Sequence, residues 1–147
     1  MSMYKEFATD AKREREGIIL DYGEFRVTVA RAGGANKDYT KTLERKARPH
    51  RRAIQTESFD NERANSLLQE VYAEAVVRNW EVKGESETGE TVWLQGIEGK
   101  DGAKLPFTKE NVLATFVALP DLFRDIMEQS QTVALFKESL LEAAAGN

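Results

Sequence analysis

The segment NERANSLLQEVYAEAVVRNW, residues 61–80, carries the strongest periodic signal in the chain. Leu67, Leu68, Val71, Tyr72, Ala75, Val76 and Trp80 recur at intervals of three and four, with Glu70, Glu74, Arg78 and Asn79 between them. Such spacing lines apolar side chains along one stripe of a helix of about 3.6 residues per turn. It predicts an amphipathic helix over roughly Asn61–Asn79, with Trp80 anchored in the core at its end.

Upstream, a second helix is expected over Lys37–Ala47, with Tyr39, Leu43 and Ala47 on its apolar stripe. It stops where Pro49 disfavours helical geometry at Arg48. Before it, Gly33-Gly34-Ala35-Asn36 interrupts the chain, and Asn36 or Asp38 is suited to cap the helix. Over Gly17–Ala32 the period becomes two. Ile18 and Leu20 share one side, and Phe25, Val27 and Val29 alternate with Arg26, Thr28 and Ala30 across the turn Asp21-Tyr22-Gly23-Glu24. That is a β-hairpin with one buried face. In residues 1–16 the charged run Lys12–Glu16 leaves little to bury, so a flexible N-terminal arm is expected there.

Downstream, Gly84, Gly89, Gly96, Gly99 and Gly102 surround the strand-like Thr91-Val92-Trp93-Leu94, which suggests a second hairpin or a pair of turns, tightest at Asp101-Gly102. Thr108 is a natural N-cap for a helix carrying Val112, Leu113, Phe116 and Val117. Pro120 ends that helix and opens the next, whose inner face is Leu122, Phe123, Ile126 and Met127. Val133, Phe136, Leu140 and Leu141 continue helical spacing toward a frayed tail at 143–147. The expected architecture is mainly α within the α+β class. It is a small helical domain over residues 17–142, with one N-terminal β-hairpin and a second, glycine-rich hairpin before the C-terminal helices.

The chain has 147 residues, 41% of them apolar, enough for one core of ordinary size. With 21 basic and 25 acidic residues its formal charge is −4, and its mean hydropathy is −0.54. It has no cysteine and a single histidine, His50. Disulfides, thiolate metal sites and cysteine nucleophiles are therefore excluded, and a serine triad would have to use His50. No apolar run has the length of a signal peptide or a membrane span, which points to a cytoplasmic protein.

Few constellations suggest chemistry. The one charge asymmetry is the cationic strip Lys37, Lys41, Arg45, Lys46, Arg48, His50, Arg51 and Arg52, opposed locally by Asp38 and Glu44. Such a strip would neutralise phosphates, or equally form the solvated face of a helix available to acidic protein surfaces. The acidic chain, and the lack of aromatic residues at stacking spacing, favour the second use. Gly33-Gly34 matches neither glycine-rich nucleotide signature and is expected to be a structural turn. The pairs Asp21/Glu24, Glu98/Asp101 and Asp121/Asp125 and the group Glu85/Glu87/Glu90 match no calcium loop. No catalytic, metal or cofactor-binding residue is assigned.

The succession of motifs resembles a family. The hairpin carries VTVARAGGAN, residues 27–36; the basic helix ends in Arg48-Pro49-His50-Arg51-Arg52; Asn79-Trp80 follows the amphipathic helix. Then come DGAKLPFTKEN, residues 101–111, and LPDLFRDI, residues 119–126. Over residues 17–140 this order is similar to that of the tail assembly chaperones of tailed bacteriophages, or of a small tail-associated protein of the same group. Trp80 or Trp93 fills the tryptophan position of the pattern.

The resemblance implies a non-catalytic helper made in the cytoplasm of an infected bacterium and absent from the mature virion. Its main partner would be the long, helix-rich tape measure protein, and the resemblance also allows contact with the tail tube protein and homo-oligomers. The candidate partner-binding stripe is Leu122, Phe123, Ile126, Met127, Val133, Phe136, Leu140 and Leu141, unless these pack inward against Leu67, Val71 and Trp80. The alternatives are a virion tail or connector subunit, and a nucleic-acid-binding module using Lys41, Arg45, Lys46, Arg48, Arg51 and Arg52.

Overall fold

The computed structural model describes residues 2–138. Two short helices open the chain, α1 (Met3–Phe7) and α2 (Ala11–Glu16), followed by the hairpin β1 (Ile18–Asp21) and β2 (Phe25–Val29). Then come α3 (Lys37–Ala47), a turn of 3₁₀ helix at Arg48–His50, α4 (Arg51–Gln55) and α5 (Asn61–Ala75). Strands β3 (Val77–Glu85), β4 (Thr91–Gln95), β5 (Ile97–Glu98) and β6 (Lys104–Leu105) precede α6 (Lys109–Ala118) and α7 (Pro120–Ser130). A 3₁₀ turn at Val133–Phe136 closes the described chain.

The sheet corrects the expectation of a mainly helical domain with separate hairpins. β1, β2, β3 and β4 form one four-stranded antiparallel sheet in that order, and β5 and β6 form a small ribbon of their own. The fold is therefore α+β, with the sheet as a full partner of the helices. The source of the error is the segment quoted first. Helix α5 stops at Ala75, and Val77–Glu85 is a nine-residue strand. Tyr72, Val76 and Trp80 satisfy the helical interval, but from Val77 onward the side chains alternate between the two faces of the sheet. Trp80 lies opposite Val27 and Val82 opposite Phe25. The β-branched pair Val76-Val77 favours the change of conformation, and pairing with β2 outweighs the helical pattern.

One face of the sheet carries Val27, Val29 and Trp80 into the core, where they meet Tyr72 and Val76 of α5, Val112 and Phe116 of α6, and Phe123 and Ile126 of α7. Tyr72 stands edge-on to Phe123, their centroids 5.5 Å apart, and Phe116 tilts against the same ring at 5.0 Å. The indole N–H of Trp80 donates to the Leu105 carbonyl at 3.1 Å, which ties the ribbon to the sheet. On the opposite face Arg26 lies 4.4 Å from the centre of the Trp93 ring and pairs with Glu81 at 2.9 Å. Trp93 is thus a platform under an arginine, outside the core where tryptophans were expected.

Several local signals act as the sequence predicts. α3 runs over Lys37–Ala47, the Thr108 hydroxyl accepts from the Asn111 amide, and Pro120 opens α7. The N-terminal segment has a polar attachment. Asp10 caps α2, its amide donates to the Phe136 carbonyl at 2.8 Å, and Glu14 is buried against Arg31.

Candidate partner-binding surfaces

The residues expected to meet a partner are mostly spent on the core. Phe123, Ile126 and Phe136 are buried, and Leu122, Met127 and Val133 are half-buried. Leu122 and Met127 pack against the main cluster. Leu140 and Leu141 lie outside the described residues. α7 thus presents its apolar stripe inward, as an amphipathic helix beside a sheet does.

α6 is different, because its sequence KENVLATFVA has apolar residues on more than one side. Val112 and Phe116 fill the core, while Ala114, Val117 and Ala118 remain exposed, followed by exposed Leu119. Positions 114, 117 and 118 are neighbours on a helical surface. Val117 is 65% exposed and Leu119 53%, so bulky apolar groups face solvent at the corner where α6 meets α7. A helix apolar on opposite sides is ordinarily covered on both. Period counting assigned Val117 to the inner stripe; the geometry puts it outside.

The basic strip divides into two parts. Arg45, Lys46 and Lys109 converge on Glu74 of α5, with Lys46 at 3.6 Å and Lys109 at 3.5 Å. Burial works to raise the Glu74 pKa, but the Arg45 hydrogen bond and the charges of Lys109, Arg45 and Lys46 outweigh it and hold the carboxyl below its ordinary value. Three cations thus share one carboxylate, which orients Arg45 and Lys46 toward α5 while the group keeps a net positive charge. The second part is the corner of α3 and α4. There Glu44, Ala47, Arg48, Arg51, Ile54 and Gln55 line a shallow hollow of about 220 Å³, with Ile54 44% exposed. Arg51 and Arg52 form no ion pair among the described residues, and Lys41 is exposed on α3.

His50 is half-buried, with its ring 5.0 Å from Phe59, and Arg63 approaches its Nδ1 at 3.5 Å. Gly33 and Gly34 both take positive φ, and a side chain at Gly34 would collide with the Glu14 carboxylate. The turn is therefore packed against an acidic side chain, a surrounding that does not favour a bound anion. Asn36 makes no side-chain cap to α3. Its Nδ2 donates to the carbonyls of Arg31 and Ala75, each at 2.9 Å, and its Oδ1 accepts from Arg78 at 3.0 Å. Sequence inspection missed this strap, because a short polar residue before a helix first suggests a cap.

Among the described residues no three metal-ligating side chains cluster, and no helix is long and apolar enough to cross a membrane. Neither the curated proteins nor the solved structures include a match to the chain. The model of a protein family described as YdaY prophage protein matches residues 34–147, from the glycine turn through the last residue. The chain therefore belongs to the YdaY prophage protein family and is of phage origin.

Proposed function

We propose that this prophage protein is a tail assembly chaperone. It binds the tape measure protein in the cytoplasm of the bacterial host, keeps it soluble while the tail tube forms, and is left out of the mature virion. The observation that carries the proposal is the uncovered apolar face Ala114, Val117, Ala118 and Leu119. Exposed apolar groups gathered at one corner are characteristic of surfaces that meet another polypeptide. A long amphipathic client offers the matching surface, since its apolar stripe packs onto a helix face through side chains spaced three and four apart. The phage origin of the family and the order of motifs support the same assignment.

Co-expression tests it. The tape measure protein encoded by the same prophage should become soluble and co-purify with this chain, and V117D with L119D should abolish both effects while the variant stays folded by circular dichroism. Retention of the chain in purified virions, or a tape measure protein equally soluble without it, would refute the proposal.

A further inference from the structure

We infer that the hollow between α3 and α4 is a second docking site, whose occupant is an amphipathic helix of a protein partner with acidic residues flanking its apolar stripe. The floor is apolar, made by Ala47 and the exposed Ile54, and the rim carries Arg48 and Arg51 against the single carboxylate Glu44. Glu44 does little to neutralise it. Its contact with Arg48 is 3.9 Å between side chains 66% and 65% exposed, a range in which an ion pair contributes little. Arg51 and Arg52 begin α4, are exposed, and form no ion pair among the described residues. Arginines without a local counter-charge, beside an exposed isoleucine, suit an external partner that brings both an apolar side chain and carboxylates.

The charge pattern selects the occupant. A leucine-sized side chain enters the hollow, and carboxylates one turn away on the incoming helix meet Arg48, Arg51 and Arg52. Nucleic acid fits less well. Arg45 and Lys46, which would extend a phosphate-binding strip along α3, are bound to Glu74, and the floor offers an aliphatic group where a nucleotide would present phosphate. The site is distinct from the α6 face, so the two can succeed or fail separately.

The probe is a fluorescein-labelled synthetic 18-residue helical peptide with leucines at helical spacing and glutamates on both flanks, read by anisotropy beside a counterpart with lysines in place of the glutamates. The acidic peptide should bind at least about tenfold more tightly than the basic one and weaken as salt rises. R51E and I54D should each cost about tenfold in affinity, and R51K should retain most of it. Equal binding of the two peptides, no binding of either, or unchanged binding by I54D would overturn the inference. So would displacement of the peptide by duplex DNA whose own binding is lost in R51E. Loss of peptide binding in V117D, with I54D unaffected, would place the peptide on the α6 face. The hollow would then be excluded and the proposal of a protein-binding function left intact.

Discussion

The Tyr22 hydroxyl donates to Asp125 Oδ2 at 2.6 Å, joining the β1–β2 turn to the middle of α7 across 103 residues of sequence. The phenol also stacks on Phe25, with ring centroids 4.9 Å apart. Removing the hydroxyl takes away a hydrogen bond to a charged acceptor and little else. Y22F should therefore lower stability by about 1–2 kcal/mol, measured as a shift in the urea midpoint with unchanged slope.

The same pair gives an alkaline signature. Burial, then the hydrogen bond from Tyr22 to Asp125 and the charge of that carboxylate, raise the phenol pKa well above its ordinary value of 10.0. Burial also pushes Tyr72 up to about 12, with the Gln131 hydrogen bond opposing it. A group whose pKa is higher in the folded state stabilises it below the unfolded pKa and loses that contribution as pH rises through the folded value. Stability should therefore decline from about pH 10 upward, and Y22F should decline less steeply by retaining only the Tyr72 part. Identical alkaline limbs for the two proteins would rule out the Tyr22 contribution.

Glu74 acts at the other end of the scale. Its folded pKa is lowered, so its stabilising effect is present above the ordinary carboxylate value of 4.5 and disappears as pH falls through the folded value. E74Q should be less stable than the parent by about 0.5–1 kcal/mol at neutral pH, since the site is partly exposed and screened. The difference should close in acid. Denaturation curves at neutral pH and well below pH 4.5, past the lowered folded value, decide it, and a gap that persists there would assign the loss to packing.

What the sequence revealed and what it hid follow from the range of the interactions concerned. Thr108, Pro120 and the Lys37–Ala47 helix were legible because caps, prolines and helical periods act within a turn or two of chain. The join between the hairpin and β3 was hidden, because Val27 opposite Trp80 is a contact between residues far apart in sequence. The stretch around Val76 satisfies a helical period while β2 draws it into the sheet. The burial of part of the candidate stripe was hidden for a related reason. Periodicity finds apolar stripes on both α6 and α7, but tertiary packing alone decides that Phe123 and Ile126 are covered while Val117 is bare.

That distinction makes opposite predictions for two helices. I126A and F123A should cost about 2–5 kcal/mol, as truncations in a filled core do. V117D and L119D should change stability by no more than about 0.5 kcal/mol, because both side chains already face water. Thermal unfolding of the four variants beside a co-purification assay separates core from surface. A V117D variant as unstable as I126A would show that the α6 face is packed in solution.

The N-terminal segment depends on a buried charge. Arg31 Nη1 bonds Glu14 Oε2 at 2.5 Å, with the Glu14 side chain 6% exposed, and Thr9 donates to the other carboxylate oxygen at 3.1 Å. A buried ion pair contributes modestly as a unit, but removing one partner leaves the other charged and poorly solvated. R31L should therefore cost about 3 kcal/mol or more, while E14L with R31L should recover a substantial part of the loss. The first effect should be local, since Glu14 and Thr9 fasten α2 near Gly34 and the backbone of residues 136–138 joins the same segment. Hydrogen exchange should accelerate over residues 8–17 in R31L before the β2–β3 pairing is affected. If exchange rises equally in Val27 and Trp80, the pair supports the whole fold and does not act as a clasp for the N-terminal helices.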